Sequence, residues 1–320
     1  ETKEHRMTAA FLLIIAGFVL LVKGADYLIE GASLLAKRYN VSDLVIGLTI
    51  VALGTSAPEL IVSVLSSING NSGIAIGNVI GSNIANLCLV LGISGVIVPI
   101  AIKKGTVWKE IPFCLFASIL LTLILFFMNT EHVILRVEAL VLLACFIAYI
   151  LYMFFGAQEP PLVVEAEEQK KMSITILMVA GGLAGLLIGG HLIVENAVYV
   201  AKGYGVSEEL IGITVVAVGT SLPEVAASIT SVLKGKHDIA VGNVVGSNIF
   251  NTFLVLGTAG LIKPMSLGKP LNADAVVMSA ASLALFIFMF TGKRQKLDRW
   301  EAVLFLCAYI GYISFSVYRG

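Results

Sequence analysis

Charged residues are scarce in this chain: Asp, Glu, Lys and Arg make up 13% of it, and hydrophobic residues make up 58%. A soluble domain carries about 25% charged residues, so the composition excludes an ordinary water-soluble fold and indicates a polytopic membrane protein. The 21 basic and 21 acidic residues balance, which leaves no net charge. Since no basic cluster is interleaved with aromatic residues, nucleic acid is not expected as a partner.

Histidine and cysteine are also rare, at four residues each. The cysteines lie in apolar segments without metal-ligand spacing, which predicts packing residues. The histidines are scattered, no Ser/His or Asp/Asp pair recurs, and the sequence contains neither HExxH nor a Walker motif. We therefore expect no enzyme, no ATP-driven pump and no cofactor.

Apolar segments long enough to cross a bilayer, roughly 17–25 residues each, recur along the whole chain. The predicted fold is an all-α polytopic membrane protein with ten spans, at about 8–36, 42–67, 73–98, 108–128, 133–155, 173–201, 207–233, 238–262, 272–292 and 299–318. The predicted organisation is a five-helix repeat at 7–157, a cytoplasmic linker at 158–172 and a second five-helix repeat at 173–320. Because the polar linker is short, we expect no added calcium-sensing domain. The lipid bilayer is an expected partner, and no obligatory protein partner is expected.

One acidic motif occurs twice, at a constant offset of 165 residues. GLTIVALGTSAPELIVSVLSS at 47–67 matches GITVVAVGTSLPEVAASITSV at 212–232, and GNVIGSNIANLCLVLG at 77–92 matches GNVVGSNIFNTFLVLG at 242–257. Over the 53 aligned positions at 47–99, 29 are identical. Since an odd number of spans separates equivalent points, the two repeats are predicted to be inverted, with the second entering the membrane from the opposite side.

Lysine and arginine predict the orientation through the positive-inside rule. With the N-terminus outside, the cytoplasmic loops hold 13 of these residues and the exterior holds 7. Both termini are therefore predicted to lie outside the cell (plasma) membrane. The first and sixth spans are unusually long, up to about 45 Å against a hydrocarbon core of roughly 30 Å, so they should tilt or extend past the surface.

Each GTSxPE motif predicts a broken helix in mid-membrane. Pro58 lacks an N–H and clashes with the carbonyl of Gly54, a weak helix former. Carbonyls freed at this depth, around 52–55, must be satisfied by protein, water or ions. Hydroxyls and Glu59 lie beside them, so the motif offers only hard oxygen ligands, which suit Ca²⁺ or Na⁺. A single copy could also be a Pro-kinked helix whose glutamate faces a polar cavity, but two facing copies favour an ion site. The predicted site residues are Ala52, Thr55, Ser56 and Glu59, with Ala217, Thr220, Ser221 and Glu224 in the second copy.

The second motif, GNxxGSNI, adds neutral oxygen ligands. Ser82 and Asn86 share one helix face, as do Ser247 and Asn251, and we predict that these four complete the oxygen shell without adding charge. Interhelical hydrogen bonding and ion ligation remain open for Asn78, Asn83, Asn243 and Asn248. Snorkelling or an entrance role is predicted for Asp26, Glu30, His191 and Glu195.

With duplicated GTSxPE and GNxxGSNI motifs in ten spans, the chain resembles the prokaryotic branch of the sodium/calcium exchanger family, within the cation/calcium antiporter superfamily. The resemblance covers nearly the whole chain. It implies that eight helices pack a core and that the long first and sixth helices slide across this core to alternate access. It also implies that Glu59 and Glu224 bridge Ca²⁺ together with the backbone carbonyls of Thr55 and Thr220.

The resemblance also implies that Na⁺ binds to the same two carboxylates as Ca²⁺, but at different times. The further implied sodium or lining residues are the carbonyls of Ala52 and Ala217, the hydroxyls of Ser56, Ser82, Ser221 and Ser247, and Asn86 and Asn251. Some relatives carry an aspartate at the position of Asn251, so this site holds only two carboxylates. One Ca²⁺ would neutralise them, whereas the family expectation of about three Na⁺ per Ca²⁺ would leave one positive charge and make exchange electrogenic.

The hypothesis is a secondary antiporter that exchanges Na⁺ for Ca²⁺ by alternating access. H⁺/Ca²⁺ exchange is the alternative, since a buried glutamate can equally carry a proton. The GTSxPE motif and the uncharged oxygen donors favour Na⁺. A passive cation channel is a less favoured third possibility.

Overall fold

The computed structural model describes residues 3–127, 133–155, 171–205, 217–266, 271–292 and 295–319. In the first half the helices are α1 (Lys3–Tyr39), α2 (Asp43–Ile46), α3 (Ala52–Thr55), α4 (Ala57–Ile68), α5 (Ser72–Ile84), α6 (Leu91–Ile97), α7 (Lys104–Trp108), α8 (Glu110–Phe127) and α9 (Arg136–Phe155). In the second half they are α10 (Met172–Gly203), α11 (Ala217–Thr220), α12 (Leu222–Leu233), α13 (His237–Ile249), α14 (Leu256–Ile262), α15 (Leu271–Phe288) and α16 (Arg299–Arg319). Three π-helical segments join helices, at Gly47–Val51, Ala85–Val90 and Phe250–Val255. Four two-residue strands complete the described elements: β1 (Ile100–Ala101), β2 (Val133–Ile134), β3 (Met265–Ser266) and β4 (Lys296–Leu297).

Seven helices of the described residues are long and apolar enough to cross a membrane, and an eighth span forms if the bent pair Asp43–Thr55 and Ala57–Ile68 counts as one. The predicted all-helical membrane fold is thus confirmed, while the count of ten stays a prediction. Residues 207–216 of the predicted seventh span lie outside the described residues, as does most of the predicted linker. The predicted span at 133–155 is helical only from Arg136, because β2 precedes it.

Equivalent segments of the two copies have equal lengths. Helices α4 and α12 each have 12 residues, α5 and α13 each have 13, and the π-helical segments that follow have six each. Both α4 and α12 end in a tight turn with a glycine in the left-handed region, at Gly70 (φ 80°) and Gly235 (φ 70°). A side chain at these positions would be strained, so the turn fixes where each following helix starts.

The last two helices of each half cross over to the other half. Strand β1 pairs antiparallel with β4, and β2 pairs antiparallel with β3. Accordingly α16 packs on α6, and α9 packs on α14. The segment His237–Ile262 is 94% buried over its most apolar part, although it is as apolar as a lipid-facing span. Side chains in the middle of this segment are therefore surrounded by protein, where polar groups can find partners.

Buried apolar side chains form two separate clusters. The larger one includes residues of α5, α8, α13 and α15. The smaller one joins α1 to α10 and includes Leu28, Val179 and Leu186. Both α1, with 37 residues, and α10, with 32, are only 22% buried over their most apolar part, so they lie largely on the outside of the bundle.

Glycines allow α1 and α10 to pack with their backbones in contact. An added Cβ at Gly182 would lie 2.5 Å from the backbone nitrogen of Leu28 and 2.8 Å from the backbone oxygen of Gly24. An added Cβ at Gly24 would in turn lie 2.7 Å from the backbone nitrogen of Leu186. Such close approach is available only to small residues, and it makes the two long helices a single packed pair.

Candidate ion-binding site

The two GTSxPE motifs form the same local structure. Ser56 (φ −83°, ψ 6°) separates α3 from α4, and Ser221 (φ −87°, ψ 3°) separates α11 from α12. Each proline then lies in the first turn of the following helix, where its missing N–H is tolerated. In the first copy the two segments meet at an angle of 47°. The predicted helix break is therefore present.

The carbonyl of Ala52, predicted to be freed by the break, is instead hydrogen-bonded. It accepts from the backbone nitrogen of Ser56 at 3.0 Å and from Thr55 Oγ1 at 3.3 Å. Ser247 Oγ, from the second copy, also donates to it at 3.5 Å. The prediction was wrong on this point, because Pro58 starts a new helix and leaves the last turn of the old one intact. Only the carbonyl of Gly54 loses its partner by necessity, since Pro58 has no N–H.

Both glutamates are buried at the start of a helix. Glu59 in α4 and Glu224 in α12 lie in the first turn, with relative exposures of 0% and 1%. The positive end of a helix dipole stabilises a carboxylate there by about 0.3–1 kcal/mol, and by up to about 2 kcal/mol in partly buried geometry. Burial of a lone carboxylate costs several kcal/mol. The dipole alone is therefore too weak, and each charge requires a further partner.

An asparagine holds the backbone of each glutamate in place. Asn78 Nδ2 donates to the backbone oxygen of Glu59 at 3.2 Å and to Ser63 Oγ at 3.0 Å. Asn243 Nδ2 donates in the same way to the backbone oxygen of Glu224 at 3.4 Å and to the matching serine hydroxyl at 3.0 Å. The alternative left open for these two asparagines is thus resolved in favour of hydrogen bonding between helices.

Hydroxyl groups bring the two carboxylates into one site. Ser82 Oγ donates to Glu59 Oε1 at 3.3 Å within the first copy. Ser56 Oγ donates to Glu224 Oε1 at 3.5 Å, and this contact joins the break of the first copy to the carboxylate of the second. Because Glu59 lies three residues after Ser56 in the same motif, the two carboxylates belong to one site, where two negative charges would repel each other. A cation between them would remove this repulsion.

Thr55 provides a second connection between the copies. Its hydroxyl donates to Asn243 Oδ1 at 3.0 Å and lies 3.4 Å from Ser247 Oγ. Since Asn243 also holds Glu224, the break in the first copy and the carboxylate of the second are linked through one amide. All of these side chains are fully buried.

Four asparagines form a network between α5 and α13 and their π-helical extensions. Asn86 Nδ2 donates to Asn248 Oδ1 at 3.1 Å, and Asn251 Nδ2 donates to Asn83 Oδ1 at 3.2 Å. Asn83 Nδ2 donates to Thr252 Oγ1 at 2.9 Å, and Asn248 Nδ2 donates to the backbone oxygen of Asn83 at 3.2 Å. Asn83 and Asn248 therefore make interhelical hydrogen bonds, which again resolves the open alternative.

Five buried oxygen atoms at this site have no hydrogen-bond partner among the described residues. They are Glu59 Oε2, Glu224 Oε2, Asn86 Oδ1, Asn251 Oδ1 and Ser221 Oγ. Four of the five form pairs related by the repeat, and each of these four is a pure acceptor when the carboxylate is charged. Unsatisfied polar groups are costly in a buried setting and require an explanation. A bound hard cation supplies one, because carboxylate and amide oxygens are its preferred ligands.

The structure places most of the predicted residues together. Hydrogen bonds connect them in three groups: Ala52, Thr55, Ser56, Glu224 and Ser247; Glu59 and Ser82; and Asn86 and Asn251 through Asn248 and Asn83. Ser221 is buried, and its hydroxyl is unpaired among the described residues. Thr220 is half-buried at the end of α11, next to Ser221. Ala217 begins α11, and its side chain lies outside the part of the chain described in detail.

Sequence reasoning missed two features of the site. Thr252 anchors Asn83, but its counterpart in the first copy is Leu87, so the repeat carried no signal for it. The π-helical segments that contain Asn86 and Asn251 were also not predicted. A π-helical turn inserts an extra residue into the helix and is frequent at functional sites, and here it coincides with the two unpaired amide oxygens.

The charged residues of the long helices lie away from this site. Asp26 on α1 forms an ion pair with Lys234 at 2.5 Å, at the end of α12. His191 and Glu195 on α10 lie 3.4 Å apart, with side-chain exposures of 75% and 69%. Within the described residues, neither pair is hydrogen-bonded to Glu59 or Glu224, and snorkelling or an entrance role stays a prediction for them.

Comparison with known proteins identifies relatives along nearly the entire chain. The family model described as sodium/calcium exchanger protein matches residues 9–155 and 174–318. The putative antiporter CaxA of Alkalimonas amylolytica is 39% identical over 317 residues, which cover 96% of this chain and 98% of that protein. The sodium/calcium exchanger MaX1 of Methanosarcina acetivorans is 35% identical, over 98% of this chain and 99% of that protein. A solved structure of the sodium-calcium exchanger NCX_Mj, soaked with Na⁺ and Sr²⁺, superimposes with a TM-score of 0.84 at 32% identity, over 96% of this chain and 99% of that one.

Proposed function

Since the chain belongs to the sodium/calcium exchanger family, we propose that it is a secondary antiporter that exchanges Na⁺ for Ca²⁺ by alternating access. The observation that carries the proposal is the set of unpaired oxygens contributed by both copies: two carboxylate oxygens and two amide oxygens, all buried. Hard oxygen ligands of this kind suit Ca²⁺ and Na⁺ and not softer metals.

The two carboxylates would bind Ca²⁺ between them. Glu59 and Glu224 would each provide an oxygen, and the backbone carbonyls of Thr55 and Thr220 would complete the contact. Sodium ions would use the same carboxylates when Ca²⁺ is absent, so the two ions compete for one cluster. The further ligands or lining groups for Na⁺ would be Ala52, Ser56, Ser82, Asn86, Ala217, Ser221, Ser247 and Asn251. No other cofactor is required for such a cycle.

Alternating access follows from the proposed inverted repeats and ten spans. Equal lengths of equivalent helices and the shared hydrogen-bond pattern support two structurally matched halves. The outer pair α1 and α10 packs through the smaller buried cluster, which is distinct from the larger one and also includes Ile46 of α2 and Ala226 and Ala227 of α12. We propose that this pair slides as one unit across the core, opening the site to one side at a time. Both termini would lie outside the plasma membrane.

Charge compensation explains why exchange is obligatory. Two buried carboxylates without a cation are costly to enclose, whereas one bound Ca²⁺ neutralises them. With about three Na⁺ the site would carry one positive charge, and moving one elementary charge through 100 mV changes the free energy by about 2.3 kcal/mol. Only a loaded site would therefore pass through the occluded state, and the direction of exchange would respond to membrane potential.

Purified protein in proteoliposomes loaded with Na⁺ and diluted into Na⁺-free buffer should take up radiolabelled Ca²⁺. Uptake should require the outward Na⁺ gradient, and it should rise when valinomycin and K⁺ compensate the charge that exchange moves. Parallel vesicles with only a pH gradient, or only a K⁺ gradient, should remain at background. Uptake that follows the pH gradient and ignores Na⁺ would instead establish proton-coupled exchange, and flux that needs no counter-ion would indicate a channel.

A further inference from the structure

We propose that Asn83 and Asn248 are positioning residues that turn the side-chain oxygens of Asn251 and Asn86 toward the transported ion. This inference rests on the proposed function, because it assumes a cation between the two halves. Neither asparagine offers an unpaired oxygen of its own among the described residues, so their action is indirect. The two are called the crossed pair below.

The side-chain amide of asparagine has two chemically different ends. Its oxygen attracts a cation and its NH₂ group repels one, and the side chain can present either end. The hydrogen bonds around the amide decide which end faces the ion. Asn86 Nδ2 donates to Asn248 Oδ1 at 3.1 Å, which leaves Asn86 Oδ1 unpaired at the other end. Asn251 Nδ2 donates to Asn83 Oδ1 at 3.2 Å, which leaves Asn251 Oδ1 unpaired in the same way.

The crossed pair can act as acceptors only because its own NH₂ groups are fixed elsewhere. Asn248 Nδ2 donates to the backbone oxygen of Asn83 at 3.2 Å. Asn83 Nδ2 donates to Thr252 Oγ1 at 2.9 Å and to the backbone oxygen of Asn248 at 3.5 Å. If either amide of the crossed pair flipped, its NH₂ group would meet another NH₂ group. The orientation of all four amides is therefore determined by one consistent donor and acceptor pattern.

The two hydrogen bonds that orient Asn86 and Asn251 each join one copy of the repeat to the other. Asn83, in the first copy, orients Asn251 of the second, and Asn248, in the second, orients Asn86 of the first. All four residues have relative exposures of 0–1%, so water does not compete for these bonds. Both amide oxygens face the ion only when α5 and α13 are docked against each other, which makes ion ligation depend on the contact between the two halves.

Double-mutant cycles for Ca²⁺ binding test this pattern. Asn248→Leu removes the acceptor for Asn86 but leaves the backbone oxygen that Asn83 uses, and it should weaken Ca²⁺ binding about fivefold, the effect of one lost hydrogen bond. Asn86→Ala should have a similar effect, and the double variant should be no weaker than the stronger single variant. The fold-changes in Ca²⁺ affinity caused by Asn248→Leu and Asn251→Ala should instead multiply in the double variant, because the two residues belong to different hydrogen-bonded pairs.

The mirror variants give an independent set of outcomes. The double variant Asn83→Leu with Asn251→Ala should bind Ca²⁺ no more weakly than the weaker-binding of its two single variants. The fold-changes in Ca²⁺ affinity of Asn83→Leu and Asn86→Ala should multiply. Thr122→Ala serves as the control and should leave Ca²⁺ affinity unchanged, because it removes a hydroxyl that bonds to Ser279 at 2.8 Å and, among the described residues, to none of the four asparagines. If the fold-changes in Ca²⁺ affinity multiply in every double variant, Asn83 and Asn248 have only a structural role and the inference fails. If one variant does not fold, the mirror cycle still decides.

Equilibrium binding of radiolabelled Ca²⁺ to the purified full-length protein is the readout, which needs no transport activity. Wild-type protein that binds no Ca²⁺ in Na⁺-free buffer would contradict the proposed function itself. Wild-type protein that binds Ca²⁺, combined with fully multiplicative cycles, would contradict only the positioning role. The two failures are thereby distinguished.

Discussion

Glu59→Gln and Glu224→Gln should each abolish Na⁺-driven Ca²⁺ uptake, lowering it by at least about 100-fold. Glutamine keeps the size of the side chain and an oxygen that can accept from Ser82 or Ser56. It removes one of the two negative charges that would compensate Ca²⁺. Leaving a buried charge without its partner costs about 3–5 kcal/mol, and every 1.4 kcal/mol corresponds to about a factor of ten in affinity.

The matched control is Glu195→Gln on α10, whose carboxylate is exposed and, among the described residues, lies 3.4 Å from His191. This variant removes the same charge from the same protein and should exchange Ca²⁺ at close to the wild-type rate. Near-normal exchange in both Glu59→Gln and Glu224→Gln would refute the two-carboxylate site. Uptake should be compared at equal amounts of folded protein, judged by monodisperse elution.

Thermal stability separates loss of binding from loss of folding in the same variants. In ion-free buffer, Glu59→Gln should be no less stable than wild type, because it removes a fully buried carboxylate charge that is costly to enclose without a cation. Ca²⁺ stabilises a protein that binds it in proportion to the logarithm of its concentration over Kd. We expect that stabilisation in wild type and not in the variants. A variant that is unstable without ions would point to a structural defect instead.

The duplicated motifs made much of this site predictable from the sequence. Glu59 and Glu224 could be identified because carboxylates are expensive in apolar segments and because both occur at the same point of a repeat. The helix break could be located since proline cannot continue a helix, and the structure places it two residues before Pro58. Equivalence within a repeat is a property of the sequence alone, so it needs no knowledge of packing.

Contacts between the copies could not be predicted in this way. The repeat shows that Asn83 corresponds to Asn248, but it does not show that they bond to each other. Likewise, Thr55 of the first copy bonds to Asn243 of the second copy, and not to Asn78, the equivalent asparagine of its own copy. Such contacts depend on which helices face each other after folding, and here they follow from the exchange of strands and helices between the halves. The hydrogen bond from Ser247 to the carbonyl of Ala52 was missed for the same reason, because Ser247 comes from the other copy.

Gly182→Ala should destabilise the protein and slow exchange while leaving Ca²⁺ affinity nearly unchanged. The added methyl group would lie 2.5 Å from the backbone nitrogen of Leu28, and a backbone atom of α1 cannot rotate away as a side-chain end can. The backbones of α1 and α10, which are in contact over much of their length, must therefore move apart. Overpacking of this kind costs about 1–3 kcal/mol. A fall of several degrees in the midpoint of thermal unfolding should report it.

The adjacent Gly181 provides the control, since an added Cβ there meets no atom within 4 Å in the described structure. Gly181→Ala should be neutral or slightly stabilising, because alanine favours a helix over glycine by up to about 1 kcal/mol. The proposed ion ligands lie on α4, α12 and the segments around them, and not on α1 or α10, so Gly182→Ala should retain equilibrium Ca²⁺ binding. Its turnover should nevertheless fall, because the proposed cycle requires α1 and α10 to move as one packed pair. Equal losses of binding and turnover would show that this pair supports the site directly, and unchanged turnover in a destabilised protein would show that its tight packing is not needed for movement.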